Sequence, residues 1–200
     1  MAKVFNDLLL KGVRSGKIPA REQDAKDWYR QKSKEYYGKK RIAEKKFFKD
    51  DPSRQTGNIQ VGSMYMFFYD AKHKNTLPYY DRFPLIFPFA KTDNGFMGIN
   101  LHYLPLAYRA QLMDGLYSIT NNQKYDETTK LEINYKALKS VSKLSNFKPC
   151  VKRYLTSQTR SQFLYIYPSE WDIALFLPLE RFSGARKTSV WKDSKRILQG

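Results

Sequence analysis

Two hundred residues carry 36 Lys and Arg against 19 Asp and Glu, a formal net charge of +17 at pH 7, with 42% hydrophobic and 16% aromatic content. That apolar share suffices for a core and excludes a wholly disordered basic chain. No apolar run approaches the roughly 20 residues of a transmembrane helix, the N-terminal MAKVFNDLLLKGVRSGK lacks a signal-peptide pattern, and the lone Cys150 allows neither an intrachain disulfide nor a Cys-based zinc site. The expectation is a folded protein of a reducing, intracellular setting with no membrane partner.

Val4, Leu8, Leu9 and Val13 recur near helical spacing, so residues 3–15 read as an amphipathic helix closed by Gly16. Pro19 interrupts it, and Asp24 is the expected N-cap of a second helix through AKDWYRQKSKEYY, stopped at Gly38. A run of cations follows, Lys39, Lys40, Arg41, Lys45, Lys46 and Lys49, and then DDPSRQTGN, whose turn-forming residues mark a boundary near 50–58.

From Ile59 the period becomes that of strands. In IQVGSMYMFFYD either Val61, Ser63, Tyr65, Phe67 and Tyr69 or Met64, Met66 and Phe68 should face a core. AKHKNTLPYYD reads as a loop, RFPLIFPF as a strand at an edge or with a bulge because of Pro84 and Pro88, KTDNG as a tight turn, and FMGINLHY as a third strand. PLAYRAQLMDGLY is a helix with Pro105 in its first turn; Asp126 caps another through LEINYKALKSVSKL. FKPCVKRYL and QFLYIYP read as strands, and Ser169 with Asp172 as a weak capping box for a short helix before Pro178. ERFSGARKTSVWKDSKRILQG reads as a basic tail that orders on binding.

The resulting fold class is α+β, a small bent antiparallel sheet or SH3-like barrel with flanking helices and basic N- and C-terminal extensions. The organisation expected is a basic helical N-terminal arm (1–58), an α+β core (59–180) and a basic C-terminal tail (181–200).

Charge is distributed unevenly: residues 1–54 carry net +8, residues 55–120 net +1 and residues 121–200 net +8. Cations flanking a near-neutral centre suit a polyanion, since Lys and Arg displace counterions condensed on a phosphate backbone. The candidate DNA-contacting residues are Arg30, Lys39, Lys40, Arg41, Lys45, Lys46, Lys152, Arg153, Arg186, Lys187, Lys192, Lys195 and Arg196. Trp28, Tyr29, Tyr36, Tyr37 and Trp191 lie among cations and could stack bases, although aromatic stripes on helices more often belong to a core. No helix-turn-helix or zinc finger can be placed, so binding should follow backbone or end shape rather than sequence.

Catalytic signals are weak. GxSxG, HExxH and the phosphate-binding GxxxxGK[ST] are absent. Asp70, Asp81 and Asp93 with His73 and His102 could in principle hold Mg²⁺, but their spacing matches no nuclease pattern. Turn formation accounts for Asp70 and Asp93, and hydrogen-bonded structural roles suit Asp81 and His102. Cys150 reads as a small buried hydrophobe. No catalytic residue, metal or cofactor is assigned.

The stretch VGSMYMFFYDAKHKNTLPYYDRFPLIFPF, continued by GFMGINLHYLPLAYRAQLMD, resembles the DNA end protector family of T4-like tailed phages. The likeness extends from KIPAR and DWYR through DETTKLEINY, FKPCVKRYL and SEWDIALFLP, most of the chain. The resemblance implies a non-enzymatic virion protein, added at head completion, that sits on the termini of packaged double-stranded DNA and shields them from host exonuclease. It also implies portal or neck proteins as neighbours, in the phage head and neck, and the host cytoplasm after synthesis and ejection. It carries no site residue. The competing readings are a head or neck protein that docks on the portal vertex without specific DNA-end binding, and a metal-dependent nuclease.

Overall fold

The computed structural model describes residues 3–17, 22–37, 42–120 and 124–199. The apolar face of the first segment forms helix α1 (Lys3–Arg14), which buries Phe5 and Leu8 and ends at Gly16, whose φ of 70° supplies the left-handed turn anticipated there. Helix α2 (Gln23–Lys34) starts two residues before the expected cap, from Glu22, and Asp24 instead pairs with Lys17 across the gap between the helices. The basic run also contains helix α3 (Glu44–Asp50), which turns Phe47 inward and leaves Lys45, Lys46 and Lys49 exposed.

Strands β1 (Gln55–Thr56), β2 (Met64–Met66), β4 (Leu85–Thr92), β5 (Gly95–Asn100), β6 (Val151–Leu155) and β7 (Phe163–Ile166) form one sheet in the order β1-β7-β2-β4-β5-β6. Every neighbouring pair is antiparallel. The sheet is open, which selects the bent-sheet expectation and corrects the SH3-like barrel, because β1 and β6 end the order without pairing to each other. A separate ribbon joins β3 (Tyr80–Asp81) to β8 (Phe182–Ser183).

Strand β4 lies between β2 and β5, so Pro88 within it cannot mark an edge, and Pro84 stands just before the strand. The register shifts between Pro88 and Ala90, a bulge that accommodates the missing N–H, and the Pro88 carbonyl accepts from the Gly62 N–H at 2.9 Å. The hairpin to β5 closes at Thr92 and Gly95, where the turn was expected.

Both alternating sets in the first strand face apolar surroundings. Met64, Met66, Leu85, Phe87, Leu164 and Ile166 pack with the helices on one side of the sheet. Tyr65, Phe67, Ile86, Phe96, Tyr154 and Phe163 form an aromatic cluster on the other. Phe67 sits at the centre of that cluster, 5.0 Å from Phe163 and 5.4 Å from Tyr154, ring to ring. Alternation alone could not choose a face because both are covered.

The helical layer draws on the whole chain. Phe5, Leu8, Tyr29 and Phe47 from the N-terminal third join the same core as Trp171 and Phe176. Helix α4 (Leu106–Thr120) contributes Leu112, Met113 and Leu116. Helix α5 (Glu127–Val141) is capped by the Asp126 carboxylate, which accepts from the Thr129 N–H at 2.8 Å, and contributes Leu138. The short helix α6 (Trp171–Phe176) is buried along its length. Its expected Ser169–Asp172 box does not form: the Glu170 carboxylate reaches back to the Tyr167 N–H at 3.2 Å, and Asp172 instead accepts from Arg30.

The C-terminal stretch is a packed helix, α7 (Lys187–Gln199), which corrects the reading of a polar tail. Val190 and Ser194 are buried, and the Trp191 indole donates to the His102 carbonyl at 2.8 Å. A few inward residues on an otherwise polar helix are enough to dock it.

Candidate nucleic-acid interface

Ion pairing decides which cations can meet a polyanion. Among the described residues, three arginines lie inside the protein. Arg30 is gripped by Asp172 at 2.7 Å and by Asp114 at 2.7 Å. Arg54 makes a fork to both Glu170 oxygens at 2.7 and 3.1 Å. Arg109 donates to the carbonyls of Leu104 and Leu175 and pairs with Glu180 at 2.8 Å. Arg30 was a candidate DNA contact; its side chain is 6% exposed and its guanidinium is held by carboxylates, so it ties α2 to α4 and α6. The carboxylates raise its basicity despite the opposing cost of burial.

The aromatic residues singled out beside cations are structural too. Tyr29 is buried and donates to backbone carbonyls of Leu9 and Lys17, while Trp28 meets it edge-on at 5.0 Å. Tyr36 packs against the core. Tyr37 donates to Glu180 at 2.9 Å. Lys187 rests over the rings of Tyr37 and Trp191 and lies 3.9 Å from Glu180, which makes it an internal brace more than a free cation.

Where cations do converge is the end of the sheet near the loop 69–82. The Tyr69 N–H donates to the Arg82 carbonyl at 3.0 Å, the Asp70 N–H to Gln158 at 3.1 Å, and the Arg82 N–H to Arg181 at 2.8 Å. These bonds fix both ends of the loop on neighbouring elements. Gly184, with φ of 89°, lets the chain after β8 pass the loop, because a Cβ there would stand 2.5 Å from the Pro78 carbonyl oxygen.

Two adjoining depressions result, sharing Tyr69 and Tyr80. One is an open groove of about 550 Å³ with Lys45, Lys74, Arg82 and Arg160 on its walls. Asp70 is its acid; Lys74 holds that carboxylate at 2.9 Å, Tyr80 donates to it at 3.1 Å, and Arg160 stands 3.7 Å away. The Lys74 hydrogen bond keeps the Asp70 carboxyl below its ordinary range. The other depression is a pocket of about 400 Å³ walled by tyrosines, Tyr79, Tyr80 and Tyr103 among them, with Lys152 and Arg153 on its side. Lys152 extends its ammonium over the Tyr103 ring at 4.1 Å from the centroid, and burial lowers its pKa. Arg153 is exposed and donates to Asn94 at 2.9 Å.

The structure thus brings together Lys45, Lys152 and Arg153 of the sequence candidates. Lys46 is exposed on α3; Arg186, just before α7, and Lys192, Lys195 and Arg196 on that helix are exposed as well. Helix α7 comes close to the pocket, since Asp193 lies within electrostatic reach of Tyr79. Lys39, Lys40 and Arg41 lie outside the described residues. Sequence reasoning missed Lys72, Lys74, Arg82 and Arg160, three of which sit in the segment of net +1. The available signal was local: AKHKNTLPYYDR sets cations beside paired tyrosines in a loop, whereas a segment average hides them.

Two of the groups considered for cleavage, Asp81 and His102, are bonded to each other inside the protein. Asp81 is buried and accepts from His102 Nδ1 at 2.7 Å, from Asn100 at 3.1 Å and from the Phe83 N–H at 3.1 Å. Cys150 is buried and donates to the Phe147 carbonyl, and burial pushes its thiol pKa up to about 12. Among the described residues, no group of three or more His, Cys, Asp or Glu could hold a metal ion, and no helix is long and apolar enough to cross a membrane.

Residues 3–196 match the family described as the phage T4 terminal DNA protecting protein. The chain belongs to this family. No curated protein and no solved structure matches it. Membership establishes what the polyanion is: the terminal DNA protecting family acts on DNA ends, which fits the expectation drawn from charge and from the LPYYDRFPLIFPF region.

Proposed function

We propose that this phage protein shields double-stranded DNA ends by occlusion, seating backbone phosphates next to the terminus in the groove lined by Lys45, Arg82 and Arg160. The observation that carries this reading is the convergence of cations from three separate segments on one groove bordered by tyrosines. Exposed cations of α7 and Lys46 extend the basic surface beyond the groove. Protection of this kind needs no bond-breaking chemistry, since an exonuclease must engage the terminus that the protein covers. The same reading puts the protein on packaged termini at head completion, with portal or neck proteins as neighbours; the family's role at DNA ends supports that setting.

The test is protection of a linear duplex from a processive exonuclease as salt is raised, with a nicked circle as competitor. Protection of the linear ends that excess circle cannot remove supports end shielding. Equal competition by the circle overturns it, and loss of the circle itself would reveal cleavage.

A further inference from the structure

We propose that the tyrosine-walled pocket beside the groove receives a single unpaired nucleotide from the DNA terminus, its base against Tyr79 and Tyr80 and its 5′-phosphate on Lys152. This inference rests on the end-shielding reading and adds the feature that tells an end from the middle of a duplex.

Size comes first. A pocket of about 400 Å³ lies low in the range of roughly 300–1,000 Å³ typical of small-ligand sites. It admits one nucleotide and excludes a base pair still stacked on its helix. Chemistry comes second. Tyr79 and Tyr80 are partly exposed, and Leu77 is 43% exposed at the same pocket, so planar and apolar surface faces an opening. Base faces stack on such rings without regard to sequence. Tyr79 is held from behind by Tyr103 and Phe182, ring centroids 6.0 and 6.2 Å away, so the platform is preorganised.

The third observation is Lys152. Its ammonium is half-buried over Tyr103 and has no carboxylate partner among the described residues. The three buried arginines among the described residues are each answered by an acid: Arg30 by Asp172, Arg54 by Glu170, Arg109 by Glu180. Asp81 also lines the pocket, but its oxygens are occupied by His102, Asn100 and the N–H groups of Phe83 and Arg181. An under-neutralised cation at the side of an aromatic pocket calls for an anion carried by a planar ligand. Arg153 stands beside it, oriented by Asn94, for the next phosphate.

The experiment measures binding of the full chain to hairpin-capped duplexes whose single open end is blunt or carries one unpaired 5′ nucleotide, each with 5′-phosphate or 5′-hydroxyl. A fully capped dumbbell and free dAMP complete the set. The unpaired, phosphorylated end should bind about tenfold tighter than the dumbbell, the scale of one stacked base. Lys152→Met should abolish the preference for phosphate, and Tyr79→Leu, which keeps apolar bulk, the preference for the unpaired base; both should bind the dumbbell like the parent. Ends that are shielded from exonuclease yet bind with no dependence on the unpaired base or its phosphate overturn the pocket and leave end shielding intact. Loss of shielding in the parent protein overturns end shielding itself. Free dAMP binding more tightly than any DNA end would make this a soluble-nucleotide pocket and overturn the proposal.

Discussion

Replacing Lys45, Arg82 and Arg160 together by Gln removes three groove cations while leaving the core untouched, since all three side chains are exposed. If each meets a phosphate, the salt dependence of binding must change in a calculable way. Each phosphate neutralised contributes about 0.9 to the slope of log affinity against log salt, so the triple variant should lose about 2.7 from the slope. Between about 50 and 200 mM salt that is a factor of about 40 in affinity that the parent loses and the variant does not. Exposed substitutions of this sort change folding stability by only about 0.5 kcal/mol, so a normal unfolding transition separates lost contacts from lost structure. The control is Lys136, Lys139 and Lys143, also exposed, on or just after α5, replaced by Gln to give the same net charge. Fluorescence anisotropy of a labelled duplex across a salt series provides both slopes. Equal slope changes in the two triples would refute the groove as the contact surface, because the effect would then belong to net charge alone.

Three further outcomes follow from the interior. Arg54→Met leaves Glu170 buried without its fork and should cost about 3–5 kcal/mol, read as a lower midpoint in urea unfolding; adding Glu170→Gln should recover part of it. Phe67→Ala removes the hub of the aromatic cluster and should cost about 3–5 kcal/mol, with loss of near-ultraviolet circular dichroism from the surrounding rings. The Cys150 thiol, ordinarily near 9.0 and raised by burial to about 12, should resist alkylation at pH 9 in the native protein and react on unfolding. The unfolded thiol ionises first, so its linked contribution to stability is full below pH 9 and falls as pH rises from about 9 to 12.

Local chemistry was readable in the sequence wherever a short segment determined its own structure. The Asp126 cap, the Gly16 stop and the hairpin between Thr92 and Gly95 were all visible in this way. What the sequence could not display was pairing at long range. Residues 64–66 bind both 164–166 and 85–86, and that choice determines an open sheet in place of a barrel. Arg30 looked like a surface cation because the acids that grip it, Asp114 and Asp172, lie 84 and 142 positions away. Helix α7 looked like a tail because its docking depends on Trp191 finding the His102 carbonyl, 89 positions earlier. The groove was hidden for the same reason: Lys45, Arg82 and Arg160 share no segment, and only the fold makes them neighbours.

Pairing also changes what the charge of +17 means. Arg30, Arg54 and Arg109 are neutralised internally, and Asp172, Glu170 and Glu180 vanish from the surface with them. The surface field is therefore shaped less by how many cations the chain has than by which of them lack an acid. A cationic groove by itself grips any stretch of duplex, and interior sites on a long genome vastly outnumber its two ends. Counterion release favours neither. Selectivity for a terminus must come from something only a terminus offers, an unstacked base or a terminal phosphate, and a small aromatic pocket adjoining the groove is the place in this fold where such a group could be told apart.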